Sequence, residues 1–206
     1  WGRQLVAVTG SAGKTTTKEM IAALLARRFA VLKSPGNLNN DYGLSLALLA
    51  LQPTHEVAVM ELAMSAPGEI ARLTRIAEPQ VGLVTIVAPV HLQFFESVEG
   101  IAQAKRELIE NLKPGSTAVL NYDDERVRRF TEGFDGRVVT FGFEPGGEFR
   151  AVDLRVGPGL EVRFRVLGPQ INWEVRVPLP GRHNAQNALA AIATASLFGI
   201  DEDDVR

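Results

Sequence analysis

One segment restricts the folds open to this chain more than any other: Thr9-Gly10-Ser11-Ala12-Gly13-Lys14-Thr15-Thr16. An apolar, β-rich run at residues 5–9 leads into it. Beyond it Met20, Ile21, Leu24 and Leu25 recur at helical spacing. A glycine-rich turn between a strand and a helix is the setting of a phosphate loop. Its glycines let successive backbone N–H groups turn toward an anion, and the helix N-terminus adds its positive end. Gly10, Ser11, Ala12, Gly13 and Thr16 are therefore candidate phosphate contacts. Lys14 supplies a point charge for the β- and γ-phosphates, and the Thr15 hydroxyl can ligate Mg²⁺. Val8 stands where the common form of the loop has its first glycine. The bland alternative is a glycine-rich turn that binds nothing, but G-K-T-T in this context makes ATP or GTP the working premise. The sequence has no N-K-x-D guanine signature, so ATP is the expected nucleotide.

The rest of the chain agrees with such a loop. Apolar runs at 31–32, 56–61, 81–87, 117–120 and 137–141 alternate with helical patterns at 42–51, 69–76 and 101–112. Strands alternating with helices predict an α/β fold of the phosphate-loop type, a mostly parallel sheet flanked by helices. The pattern changes near Gly146. Residues 149–156, 160–167 and 173–177 alternate apolar and polar side chains, separated by Gly157-Pro158-Gly159 and Gly168-Pro169. That reads as a small antiparallel subsheet at 147–180 appended to the main core. An Ala-rich helix follows at 185–198. At roughly 150 residues per domain, 206 residues make one large domain.

Composition removes several function classes. There is no cysteine, which excludes zinc-thiolate sites, iron–sulfur clusters and cysteine nucleophiles and is compatible with a reducing compartment. Lys and Arg total 22 against 24 Asp and Glu. Without a basic excess, no nucleic-acid partner is expected. No stretch approaches the ~18 apolar residues of a membrane span, so no membrane insertion is expected. Trp1-Gly2-Arg3-Gln4 is not a signal peptide, because a strand and then glycines follow at once. The missing initial Met suggests a segment of a longer chain.

Ligands of open α/β sheets lie beyond the carboxyl ends of the strands. There Glu61 closes the run 56–61 and can hold Mg²⁺, or can equally be a cap or a solvated residue. His91 follows another strand, and a lone loop histidine is more often no ligand at all. Lys105 shares a helical face with Ile101, Leu108, Ile109 and Leu112. A lysine in an apolar stripe must snorkel, find a partner or lose its charge. With a depressed pKa it can also capture CO₂ as a carbamate and become a metal-binding anion. Gly36-Asn37-Leu38-Asn39-Asn40 opens one helix, and His183-Asn184-Ala185-Gln186-Asn187 opens the last one. Asn184 can cap its helix, while Asn187 has the donor and acceptor that the edge of adenine requires.

Together these segments, with Glu61-Leu62-Ala63-Met64 and Ala104-Lys105, resemble the Mur ligases, the ATP-dependent amide-bond-forming enzymes of peptidoglycan synthesis. The resemblance runs the length of the chain and implies the central ATPase domain alone. The N-terminal UDP-substrate domain and the C-terminal Rossmann-like domain of the family have no counterpart here. Gly36-Asn37-Leu38-Asn39-Asn40 points to the member that adds D-alanyl-D-alanine to UDP-MurNAc-tripeptide, a cytoplasmic bacterial enzyme. By motif, Lys14 would bind phosphates, and Thr15 and Glu61 would hold a first Mg²⁺. His91 and carbamylated Lys105 would serve a second metal or position the γ-phosphate, and Asn187 would read adenine. The implied chemistry is an acyl phosphate made from ATP and then attacked by the amine of D-Ala-D-Ala. The competing expectations are a folylpolyglutamate synthase-like or cyanophycin synthetase-like ligase, and a phosphate-loop regulatory ATPase without chemistry of its own.

Overall fold

The computed structural model describes residues 1–89, 95 and 97–205. Eleven elements alternate strictly at first: β1 (Gln4–Thr9), α1 (Lys14–Leu25), β2 (Val31–Lys33), α2 (Asp41–Leu49), β3 (Val57–Glu61), α3 (Glu69–Ala77), β4 (Val81–Val84), α4 (Val98–Glu110), β5 (Thr117–Asn121), α5 (Glu125–Arg128) and β6 (Arg137–Gly142). Then come β7 (Phe149–Val156), β8 (Val162–Gly168), β9 (Ile171–Val177), α6 (Arg182–Ala195) and α7 (Glu202–Val205). These strands form one sheet in the order β2-β3-β1-β4-β5-β6-β7-β8-β9.

β1 is the pivot. Its Val6, Ala7 and Val8 are fully buried, as a strand covered on both faces requires. It pairs in parallel with β3 on one side and β4 on the other. The chain leaves β1 for the β2 edge, returns to β3, then crosses to β4. The order reverses at β1, and such reversals open a crevice at the carboxyl ends of the strands.

Two apolar cores sandwich the sheet. Ile21, Ala22 and Leu25 of α1 pack with Ala185, Leu189 and Ile192 of α6 on one face. Leu44, Ile70, Leu73, Ile101, Leu108 and Val127, from α2 to α5, cover the other. The antiparallel strands extend this sheet at its edge. Phe141 and Gly142 of β6 pair in parallel with Phe149 and Arg150, and only then do β7, β8 and β9 turn antiparallel. Val162, Phe164 and Val166 alternate inward onto the same core as α6.

β4 stops earlier than its apolar run suggests. Beyond Val84 the backbone leaves the ladder: Ser11 donates its N–H to the Ile86 carbonyl, and the Thr85 hydroxyl donates to the Ala12 carbonyl. Those bonds tie the segment to the phosphate loop, while the Thr85 N–H still reaches the Thr9 carbonyl at the end of β1. Asn40 caps α2, its side chain accepting from the Gly43 N–H. Capping does not explain Asn184, which lies inside the first turn of α6 and donates to the Pro180 carbonyl at 2.7 Å.

Candidate active site

The loop Gly10–Gly13 leaves β1 and enters α1 at the reversal point. Gly13 is the N-cap, at φ 80°, with no side-chain cap and no acidic residue in the first turn. The first N–H groups of α1 are therefore left without side-chain partners of their own and can receive an anion. Gly10 sits at φ 146°, and a Cβ there would lie 1.9 Å from Thr85 Oγ1. At Gly13 a Cβ would meet Asn187 Oδ1 at 2.4 Å. The loop backbone is thus clamped between the end of β4 and the start of α6. Gly10→Ala is expected to cost about 2–5 kcal/mol, from both the forbidden φ and the clash. The denaturation midpoint checks this. Adding Thr85→Ala should recover only the part due to the clash, and an unchanged midpoint in Gly10→Ala contradicts it.

Beside the loop, three elements bring oxygen donors together. Thr15, on α1, donates its hydroxyl to Glu61 Oε2 at 2.8 Å. Asn39, from the turn before α2, donates its amide to Glu61 Oε1, also at 2.8 Å. Glu61 ends β3 and is only 1% exposed. Lys14 Nζ bonds the Gly10 carbonyl at 3.0 Å. Burial holds the Lys14 ammonium below the usual lysine range, and the Glu61 charge offsets part of that shift. A hydroxyl and a carboxylate beside a phosphate cradle suit Mg²⁺, which takes one or two protein oxygens together with substrate phosphates. Among the described residues no cluster of three His, Cys, Asp or Glu offers an all-protein metal cage.

Lys105 does not snorkel. It is 3% exposed on the inner face of α4. Burial lowers its pKa to about 7, and the nearby Lys14 charge adds to the effect. A far larger fraction of the amine is therefore neutral near pH 7 than for an ordinary lysine. His91 lies outside the described residues.

Two cavities flank the loop. One, of about 470 Å³, is lined by Lys14, Asn39, Glu61 and Met64. The other, of about 480 Å³, is lined by Gly13, Thr16, Thr85, Phe141, Asn184 and Asn187. Asn187 turns toward the loop: its Oδ1 accepts from the Thr17 hydroxyl at 3.3 Å, and its amide approaches Asn184 Oδ1 at 3.4 Å.

Sequence reasoning missed Thr85 and Ser34. Thr85 sits inside the run 81–87, where its lone hydroxyl was the available signal. Ser34 accepts the Glu61 N–H on its Oγ at 3.1 Å, a contact no local pattern announces.

Residues 8–195 match the family model described as the Mur ligase middle domain. The chain is 41% identical over 198 residues to the UDP-N-acetylmuramoyl-tripeptide--D-alanyl-D-alanine ligase of Synechocystis sp., covering 96% of this chain and 41% of that relative. Its fold is similar to a crystal structure of MurF from Acinetobacter baumannii, with a TM-score of 0.92 and 35% identity over 98% of this chain and 44% of that one. The MurF ligase of Thermotoga maritima, solved in complex with ADP, gives a TM-score of 0.89 and 33% identity over 100% of this chain and 48% of that one. The chain spans less than half the length of each of these relatives.

Proposed function

The chain belongs to the Mur ligase family as a Mur ligase middle domain, and from that premise we propose that it is the ATP-binding domain of a D-alanyl-D-alanine-adding ligase. The reaction joins D-Ala-D-Ala to UDP-MurNAc-tripeptide in peptidoglycan precursor synthesis. One observation carries the reading: Lys14, Thr15, Asn39 and Glu61 converge beside an uncapped helix N-terminus, at the ends of two parallel strands. A Mur relative solved with ADP supports the nucleotide.

A carboxylate is a poor electrophile, so ATP first converts the substrate carboxylate to an acyl phosphate, releasing ADP. The amine of D-Ala-D-Ala then attacks the carbonyl, the amide bond forms and phosphate leaves. The loop amides and the ammonium of Lys14 meet the charge on the phosphates as the γ-phosphoryl group moves. Thr15 and Glu61 would hold Mg²⁺, which supplies further neutralisation of phosphate charge when bound. The neutral Lys105 amine can add CO₂, forming an N–C bond and releasing a proton. The resulting carbamate would give the site a second anionic ligand. His91 would serve a second metal or position the γ-phosphate. Asn187 would read adenine in the cavity that it lines together with Asn184. Domains outside this chain would bring the UDP-sugar peptide and close over the nucleotide, excluding water. Among the described residues no helix is long and apolar enough to cross a membrane.

Glu61→Gln tests the metal assignment. It removes the carboxylate while keeping its length. The Mg²⁺-dependent part of ATP affinity, read by calorimetry, is expected to fall about 10–100-fold, with Mg²⁺-free binding retained. Equal affinity with Mg²⁺ in the variant and the wild type would overturn the assignment.

A further inference from the structure

Lys18 lies on α1, one turn beyond Lys14, and is 0% exposed. A buried ammonium is costly unless each of its donors is satisfied. Here all three are. Nζ bonds the Ser34 carbonyl at 2.7 Å and the Gly36 carbonyl at 2.8 Å, and pairs with the Glu19 carboxylate at 3.1 Å. Glu19 is shared with Lys33 at the surface.

The two carbonyls belong to the irregular segment between β2 and α2, and that segment holds Glu61 at two points and Ala63 at a third. The Ser34 Oγ accepts the Glu61 N–H, and the Asn39 amide donates to the Glu61 carboxylate. The Asn39 carbonyl accepts the N–H of Ala63, two residues further on. Glu61 in turn receives the hydroxyl of Thr15, which is back on α1. The contacts close a ring: α1 through Lys18 to residues 34–39, on to Glu61, and back to α1 through Thr15.

We infer that Lys18 is a positioning residue of the nucleotide site. It locks residues 34–39 to α1 so that Ser34 and Asn39 hold the Glu61 carboxylate against Thr15, and it thereby sets the affinity for the nucleotide-bound cation. The inference rests on the reading of Thr15 and Glu61 as the Mg²⁺ ligands. Lysine suits the task because a compact ammonium with three donors matches two carbonyls and a carboxylate. A methionine would fill the same space and leave both carbonyls unpaired.

The test is calorimetric titration of this chain with ADP, once in Mg²⁺ and once in a chelator. Wild type, Lys18→Met and Ser34→Ala are compared. In Lys18→Met the gain in ADP affinity brought by Mg²⁺ is expected to shrink about 10–100-fold, while affinity in chelator is unchanged. Ser34→Ala should lose part of the same gain, and amide exchange at Ala63 should quicken in both variants. A folded Lys18→Met protein that keeps the full Mg²⁺ gain overturns the inference. So does an equal loss with and without Mg²⁺, the mark of general destabilisation. If Lys18→Met does not fold, a full Mg²⁺ gain in Ser34→Ala overturns it. A wild type with no Mg²⁺ gain overturns the ligand reading itself, and the inference with it.

Discussion

Lys14→Ala is expected to weaken ATP binding by this chain about 100-fold while leaving its fold as stable as before, or more stable. In the nucleotide-free chain the Lys14 ammonium is partly removed from water and its pKa is depressed. Without phosphates, its acceptor is the Gly10 carbonyl and its counter-charge is Glu61. Deleting it relieves a desolvated charge, so thermal stability should not fall. Binding loses a charge-assisted bond to phosphate, which at about 3 kcal/mol corresponds to a weakening of about 100-fold. Calorimetry for affinity and a melting curve for stability separate the two effects. Unchanged ATP affinity contradicts the phosphate-loop reading, and a variant that binds poorly because it has unfolded contradicts the electrostatic account of Lys14.

The second large effect concerns Lys105. In the complete ligase proposed above, Lys105→Ala should lower turnover by about 10²–10³-fold, the scale on which enzymes lose a single group that stabilises developing charge. Formate or acetate should restore part of the activity by replacing the lost carbamate. The chemistry has a pH signature. With its pKa at about 7, the amine is protonated below neutrality and cannot add CO₂. Uptake of isotopically labelled bicarbonate at Lys105 should therefore rise as pH passes upward through about 7. Stability carries the same signature with a definite sign. The folded-state pKa lies below the ordinary lysine value of 10.5, so between the two the unfolded chain binds more protons. The unfolding free energy should thus rise with pH across that window, and Lys105 destabilises the fold most below pH 7. Lys105→Met should flatten that slope. No labelled carbamate at any pH, together with unchanged turnover in Lys105→Ala, contradicts the assignment.

The parallel core was legible because its signals are local. The apolar run 5–9, the glycines after it and the helical spacing of Met20, Ile21, Leu24 and Leu25 each depend on a few neighbouring residues. Period-two alternation likewise marked β7 to β9. It could not show their attachment, because the β6–β7 pairing rests on only Phe141 and Gly142 meeting Phe149 and Arg150. The early end of β4 was hidden for a similar reason. Residues 85–87 are apolar or β-branched, and only the distant phosphate loop draws them away from the ladder. The burial of Lys105 followed from its helical face. The role of Lys18 did not, since it depends on carbonyls 16 and 18 residues away that no periodicity relates to it. Asn184 lay between capping and binding in the sequence, and the start of α6 at Arg182 removed the first.

Phosphate release from ATP by the complete ligase tests the central claim most directly, with UDP-MurNAc-tripeptide and D-Ala-D-Ala supplied singly and together. The expected result is release that requires the tripeptide, turns over steadily only when D-Ala-D-Ala is also present, and yields one amide bond per phosphate. The chain of residues 1–206 alone should bind ATP weakly and form no amide, because delivery of the amine and exclusion of water are assigned to domains outside these residues. Phosphate release that ignores the tripeptide, or equal turnover by this chain and the complete ligase, would contradict the reading of these residues as the ATP-binding domain of an amide-forming ligase.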